Sequence, residues 1–246
     1  LEACRPAVDH VAAVSRRVRE RVAADFPATV IPNGVDLTHL CRSLPREEAR
    51  GRFGFGPDDF VLGCVGRFSP EKQVHRLIEA AAELPPHFKV LLVGWGPLRP
   101  RLLDLANRLI PGRFALTLGK ECFGDYYEAI DALCMVSIEE GYPLVVPEAM
   151  LCGRPVIATE VGAVPDLIVD RINGLIVSGT AESIREAALL LQRHPEWARG
   201  LAAEAKQTAD RQGHARRMAQ DYEDLILSLW RGKRARRNGK VETVLQ

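Results

Sequence analysis

Short apolar runs alternate with amphipathic stretches along nearly the whole chain. FVLGCVG (60–66), FKVLLVG (88–94), FALTLG (114–119), DALCMVS (131–137), PVIAT (155–159) and GLIV (174–177) have the length and composition of buried strands. Between them the period changes to that of a helix. EKQVHRLIEAAAEL places Val74, Leu77, Ile78 and Ala81 on one face, with Ser69 as a candidate cap and Pro70 at the first position. LRPRLLDLANRL reads as a second helix, and shorter ones are predicted near 123–130, after Pro147 as far as Gly153, and near 164–169. Three mainly helical segments close the chain, at 181–193, 195–210 and 214–230. Ahead of the first long strand, VDHVAAVS (8–15) and ATVIP (28–32) read as strands around the basic amphipathic helix SRRVRERVAADF. NGVD (33–36) is a turn and PREEARGRFGF a short helix.

Strand and helix alternating almost throughout predict an α/β fold: a Rossmann-like parallel sheet with helices on both faces. In such sheets ligands bind beyond the carboxyl ends of the strands. The residues just past each strand are therefore informative. They are Gly66-Arg67 with Lys72, Gly94-Trp95-Gly96, Gly119-Lys120, Glu140-Gly141 and Gly162-Ala163. Glycines and charges gather along one sheet edge, as an anion-binding crevice requires.

Composition narrows the class. The chain is 47% hydrophobic with a net charge of +1, enough apolar residues for one sizeable core and too little charge for a general polyanion binder such as a nucleic-acid protein. The charge is uneven: RGKRARRNGK (231–240) holds Lys and Arg with no acid. Residues 231–246 read as a solvated, disordered tail, with a weak grip on anionic lipid or nucleic acid as the alternative. The cysteines form no C-x-x-C pair, and Cys64 and Cys134 sit in apolar runs as small core residues. A reducing, cytoplasmic setting is expected, with any membrane contact peripheral at the inner face. No metal-ligand spacing, signal peptide or membrane-length apolar run is present in the sequence. The first residue is Leu1, which suggests a trimmed or partial product.

Arg67 and Lys72 bracket the predicted helix start at Pro70. A guanidinium fork and an ammonium beside a helix N-terminus suit a phosphate, whereas either cation alone is equally well explained as surface charge. Glu140 and Glu148 flank a Gly-Tyr-Pro bend. Each carboxylate can accept hydrogen bonds from paired hydroxyls of a sugar or ribose. The bland alternatives are a loop acid for Glu140 and a helix-dipole partner for Glu148. The amides of Leu144 and Val145, just before the helix, are free to meet a phosphate. Gly94-x-Gly96 lacks the rest of a dinucleotide fingerprint, and there is no Walker sequence or D-x-D pair. Gly162-Ala163 is explained as well by close packing as by ligand approach.

Together GRFSPEK (66–72), LLVGWGP (91–97), YYEAIDALCMVS (126–137), EEGYPLVVPEAMLCGRPVIAT (139–159) and VGAVPDLI (161–168) resemble the retaining glycosyltransferases of family 4, of GT-B fold. The resemblance covers about residues 8–230. It implies that Arg67 and Lys72 hold a nucleotide diphosphate and that Glu148 binds the ribose. Glu140 would face the transferred hexose-type sugar, with Glu140, Arg67 and Lys72 as the catalytic groups. Gly66, Gly141, Tyr142, Leu144 and Val145 would line the donor site, and Gly119-Lys120 would lie near the base. No metal or other cofactor is implied; a UDP- or GDP-sugar would be the substrate.

The resemblance also implies one half of a GT-B enzyme. Residues 1–36 would be the end of an acceptor-side domain, and 37–230 the donor-binding domain. The acceptor domain itself would come from elsewhere, in a longer chain or a partner chain. The helix RRMAQDYEDLILSLW would return towards it, leaving Met218, Tyr222, Leu225 and Leu229 partly exposed or repacked. A non-catalytic donor-binding subunit and, more remotely, a sugar-nucleotide epimerase are the alternatives. The sequence departs from the family pattern at Gln73, where glycine usually comes after the lysine, and at Trp95, Val136 and Ala163.

Overall fold

The computed structural model describes residues 8–243 apart from 23–25, 37, 39, 41–43 and 120–121. Two short parallel strands, β1 (Val11–Ala13) and β2 (Ala28–Val30), flank helix α1 (Arg16–Val22). Helix α2 (Arg46–Gly51) leads into a six-stranded parallel sheet. Its strands are β3 (Phe60–Val65), β4 (Phe88–Val93), β5 (Phe114–Thr117), β6 (Ala132–Met135), β7 (Val156–Thr159) and β8 (Leu175–Val177). The spatial order is β5-β4-β3-β6-β7-β8, so the winding reverses between β3 and β6.

Alternating side chains of the strands feed two cores, as a sheet buried on both faces requires. Val61, Leu91, Leu133 and Val156 pack against α2, α5 (Phe123–Ala129), α6 (Val145–Leu151), α7 (Val164–Leu167) and α9 (Pro195–Gln212). Leu62, Val90, Cys134 and Ile157 pack against α3 (Val74–Ala82), α4 (Arg99–Leu109) and α8 (Ala181–Arg193). Cys64 and Cys134 are buried free thiols, as their apolar settings predict.

The segment 70–84 differs from its predicted single helix. Pro70–Lys72 forms a 3-10 turn, Gln73 is left-handed at φ 49°, and α3 begins at Val74. Ser69 does not cap it: its hydroxyl donates instead to the Glu71 carboxylate. Arg67 and Lys72 therefore bracket a tight turn rather than a helix N-terminus. The break accounts for Gln73 as a departure, because a left-handed residue is where glycine fits without Cβ strain. Gln73 Nε2 donates to Pro70 O at 2.7 Å and offsets part of that strain. We expect Gln73→Gly to stabilise the chain by about 0.5 kcal/mol, the relief of strain less the entropy of glycine. A lower thermal midpoint for the variant would contradict this.

The crossing at residues 33–36 and the return before α10 (Ala215–Thr243) lie side by side. Val35 N donates to Gly213 O at 2.6 Å, and Ala215 N donates to Val35 O at 3.1 Å. Met218, Tyr222, Leu225 and Leu229 of α10 are half-buried, while Ile226 and Trp230 are exposed. The helical backbone continues through Thr243, where the sequence reads as a disordered tail. Arg, Lys and Ala are strong helix formers, so the run 231–240 can extend a helix already nucleated by the packed turns before it.

Candidate active site

The reversal of winding between β3 and β6 leaves a crevice at their carboxyl ends, because the connections from the two strands run to opposite sides. A cavity of about 170 Å³ opens there, lined by Gly66, Arg67, Lys72, Ser137, Glu140, Tyr142, Leu144 and Val145 among others. Residues separated by almost eighty positions in the chain thus share one wall.

Lys72 and Glu140 form its polar centre. Lys72 Nζ lies 2.5 Å from Glu140 Oε1, with their side chains 27% and 10% exposed. Ser137 Oγ donates to the same oxygen at 2.7 Å. The backbone locks the two loops together, since Ile138 N donates to Glu71 O at 2.8 Å. Beneath this pair the Cys64 thiol is pushed up to about 12, by burial first, with Lys72 opposing and Glu140 adding to the rise. It is a neutral packing group. Arg67 is exposed at the rim and stacks over the Trp95 ring, 5.6 Å from its centroid. Trp95, a departure from the family pattern, therefore orients a site cation.

Glu148 lies in the first turn of α6, which starts at Val145, two residues before Pro147. The buried Tyr127 donates to Glu148 Oε2 at 2.5 Å, fixing one carboxylate oxygen and leaving the other as an acceptor. Burial raises the Glu148 carboxyl above its usual range, and the Tyr127 hydrogen bond opposes the rise. An acid raised in the fold is stabilising when protonated, and that contribution is lost as pH rises from about 4.5 through the folded value. Glu148→Gln should thus raise the thermal midpoint at pH 8, with the gain over wild type shrinking towards pH 4. A midpoint below wild type at pH 8 would refute the assignment of Glu148 as a strained carboxylate.

The Leu144 and Val145 amides, at the cap and first residue of α6, have no hydrogen-bond acceptor among the described residues, whereas Val146 N already bonds Pro143 O at 3.0 Å. Tyr142 is buried, its hydroxyl has no hydrogen-bond partner among the described residues, and burial pushes that hydroxyl up to about 12, with Arg217 lowering and Asp166 raising it. Gly141 points elsewhere: a Cβ there would lie 3.7 Å from Val14 Cγ2, on the side of the first two strands. Gly119 lies two residues past β5, two strands away from the reversal, and does not line the cavity. Lys120 lies outside the described residues.

Gly162 serves packing. At φ 54° a Cβ would come 2.5 Å from the Glu140 carbonyl oxygen, so the β7 loop supports the Glu140 loop by direct backbone contact. Sequence reasoning misses Ser137, Tyr127 and this support. Tyr127 carries a signal, since a tyrosine in a buried helix needs a partner for its hydroxyl.

Residues 59–194 match the family model for glycosyl transferases group 1. The chain is 36% identical over 165 residues to a D-inositol 3-phosphate glycosyltransferase of Actinosynnema mirum, covering 61% of this chain and 39% of that protein. It is 30% identical over 205 residues to the putative teichuronic acid biosynthesis glycosyltransferase TuaC of Bacillus subtilis, covering 82% and 51%. The chain thus spans about half or less of these relatives' lengths. The structure of Anabaena HepE in complex with UDP and glucose superimposes with a TM-score of 0.85 at 24% identity, covering 92% of this chain and 65% of that one. Its fold is the same. The chain belongs to the group 1 glycosyltransferases.

Proposed function

We propose that this chain is the nucleotide-sugar-binding half of a glycosyltransferase that moves a hexose-type sugar from a UDP- or GDP-sugar to a glycan, lipid or small-molecule acceptor. The observation that carries the reading is the convergence of Arg67, Lys72, Glu140 and the unpaired Leu144 and Val145 amides on one cavity at the reversal of the sheet. The diphosphate would lie between the cations and the two amides, and Glu148 would accept from the ribose. Glu140 would stand by the reacting carbon of the sugar. As the diphosphate leaves, its growing negative charge meets fixed cations and amide dipoles, which lowers the barrier. This reading needs no metal, since Arg67 and Lys72 supply the neutralising charge. HepE, a structural neighbour, is described with UDP and with UDP-glucose.

An acceptor domain would be provided by further sequence of a longer protein. A second reading, a donor-binding subunit completed by a separate partner chain, is favoured by the exposed Ile226 and Trp230 on α10. Both readings are tested by thermal shift against UDP-, GDP- and ADP-sugars in EDTA. A ligand at 100 times its dissociation constant adds about 2.7 kcal/mol. Stabilisation by one base class, abolished in Glu148→Ala, is expected; no shift with any of them would count against donor binding by this chain.

A further inference from the structure

A second cavity, of about 190 Å³, lies across Glu140 from the first. We propose that it is an oxyanion subsite for the acceptor, with Arg17 and Arg21 of α1 as its cationic wall. This rests on the donor-site reading above. Glu140 lines both cavities, so a group held in the second lies one side chain away from the place where the sugar would be transferred. The remaining wall comes from Val18, Ile138, Glu139, Val161 and Gly162. The volume suits a phosphate or carboxylate group, and is below the several hundred cubic ångströms of a typical pocket for a whole drug-sized ligand.

The charges favour an anion. Glu140 is taken by Lys72 at 2.5 Å, Glu139 by Arg21 at 3.1 Å, and Asp166 by Arg16 at 3.2 Å. Arg17 is different: its Nη1 donates to a neutral acceptor, Glu160 O, at 3.0 Å, and among the described residues no carboxylate pairs with it. That single bond orients the guanidinium while leaving donors for a planar, two-point grip on an oxyanion. Within α1 itself four arginines accompany one acid, Glu20; Asp166 and Glu139 offset Arg16 and Arg21 from the facing loops, so the excess positive charge at the cavity is that of Arg17. The donor diphosphate already has Arg67 and Lys72, which leaves this excess charge for the second substrate.

The test is calorimetric titration of inorganic phosphate into the chain carrying Lys72→Ala together with Glu140→Gln, which removes the donor-cavity ammonium without leaving an unpaired acid beside the second cavity. A phosphate site should persist there. It should weaken at least tenfold when Arg17→Gln and Arg21→Gln are added, and be largely kept with Arg17→Lys and Arg21→Lys. Both arginines are exposed, and an unchanged thermal midpoint would verify folding. UDP, titrated separately into Arg17→Gln/Arg21→Gln alone, should bind as to wild type. Absence of phosphate binding, insensitivity to the arginine changes, or a fall in UDP affinity would each overturn the proposal. Failure of the donor reading shows itself differently, as wild-type chain that does not bind UDP at all.

Discussion

Lys72→Ala should weaken UDP binding by roughly 30- to 150-fold, about 2–3 kcal/mol, and in the assembled enzyme reduce sugar transfer by at least as much. The ammonium sits 2.5 Å from Glu140 in the ligand-free chain, only 27% exposed, so its charge acts in a partly dry cavity rather than in bulk water. Two effects combine. The diphosphate loses a cation, and Glu140, 10% exposed, loses its counter-ion and confronts the incoming anion with its full charge. Glu140→Gln separates them. It frees Lys72 from its partner and removes the repulsion, so UDP should bind as well as to wild type or better, while transfer of the sugar falls. Calorimetric titration of UDP into the two variants checks the pair. Equal weakening in both would mean that Glu140 supports the loop and does not oppose the diphosphate.

Gly94→Ala should lower stability by about 3–5 kcal/mol, the sum of overpacking and left-handed backbone strain, with a fall in thermal midpoint of roughly 10 °C. At φ 143° its Cβ would lie 1.8 Å from the Gly66 carbonyl oxygen, a backbone atom that cannot swing aside. Gly66 N is itself held by Val93 O at 2.9 Å, so relief requires opening the β3–β4 ladder at the floor of the cavity. Nucleotide binding should weaken along with stability. Gly54→Ala is the control: it is also left-handed, at φ 73°, but faces open space, and should cost only about 1 kcal/mol. Equal midpoints for the two variants would show that the close approach at Gly94 is unimportant.

The strands are legible in the sequence because each is a short apolar run ended by glycine or charge, a signal that survives without knowledge of neighbours. The helix 181–193 is legible to the residue, having Thr180 as a true cap with Ser183 N donating to its hydroxyl. Strand order is not legible. Lys72 and Glu140 are 68 positions apart, and only the pairing of β3 with β6 makes them partners. For the same reason Tyr127 gives no hint of Glu148, nor Trp95 of Arg67. The left-handed break at Gln73 is masked by a helical pattern that runs through it, although the missing glycine marks the spot. The helical continuation of α10 is hidden by charge, which argues for solvent exposure but does not oppose a helix.

The most direct measurement is amide chemical-shift mapping of the isotope-labelled chain titrated with UDP and then with UDP-glucose in EDTA. The expected result is perturbation confined to the carboxyl ends of β3 and β6 and the first turn of α6, at Gly66, Arg67, Lys72, Leu144, Val145 and Glu148, with Glu140 shifting further when the sugar is present. Perturbation centred elsewhere, such as on α8, or none at saturating nucleotide, would contradict the assignment of this cavity as the donor site.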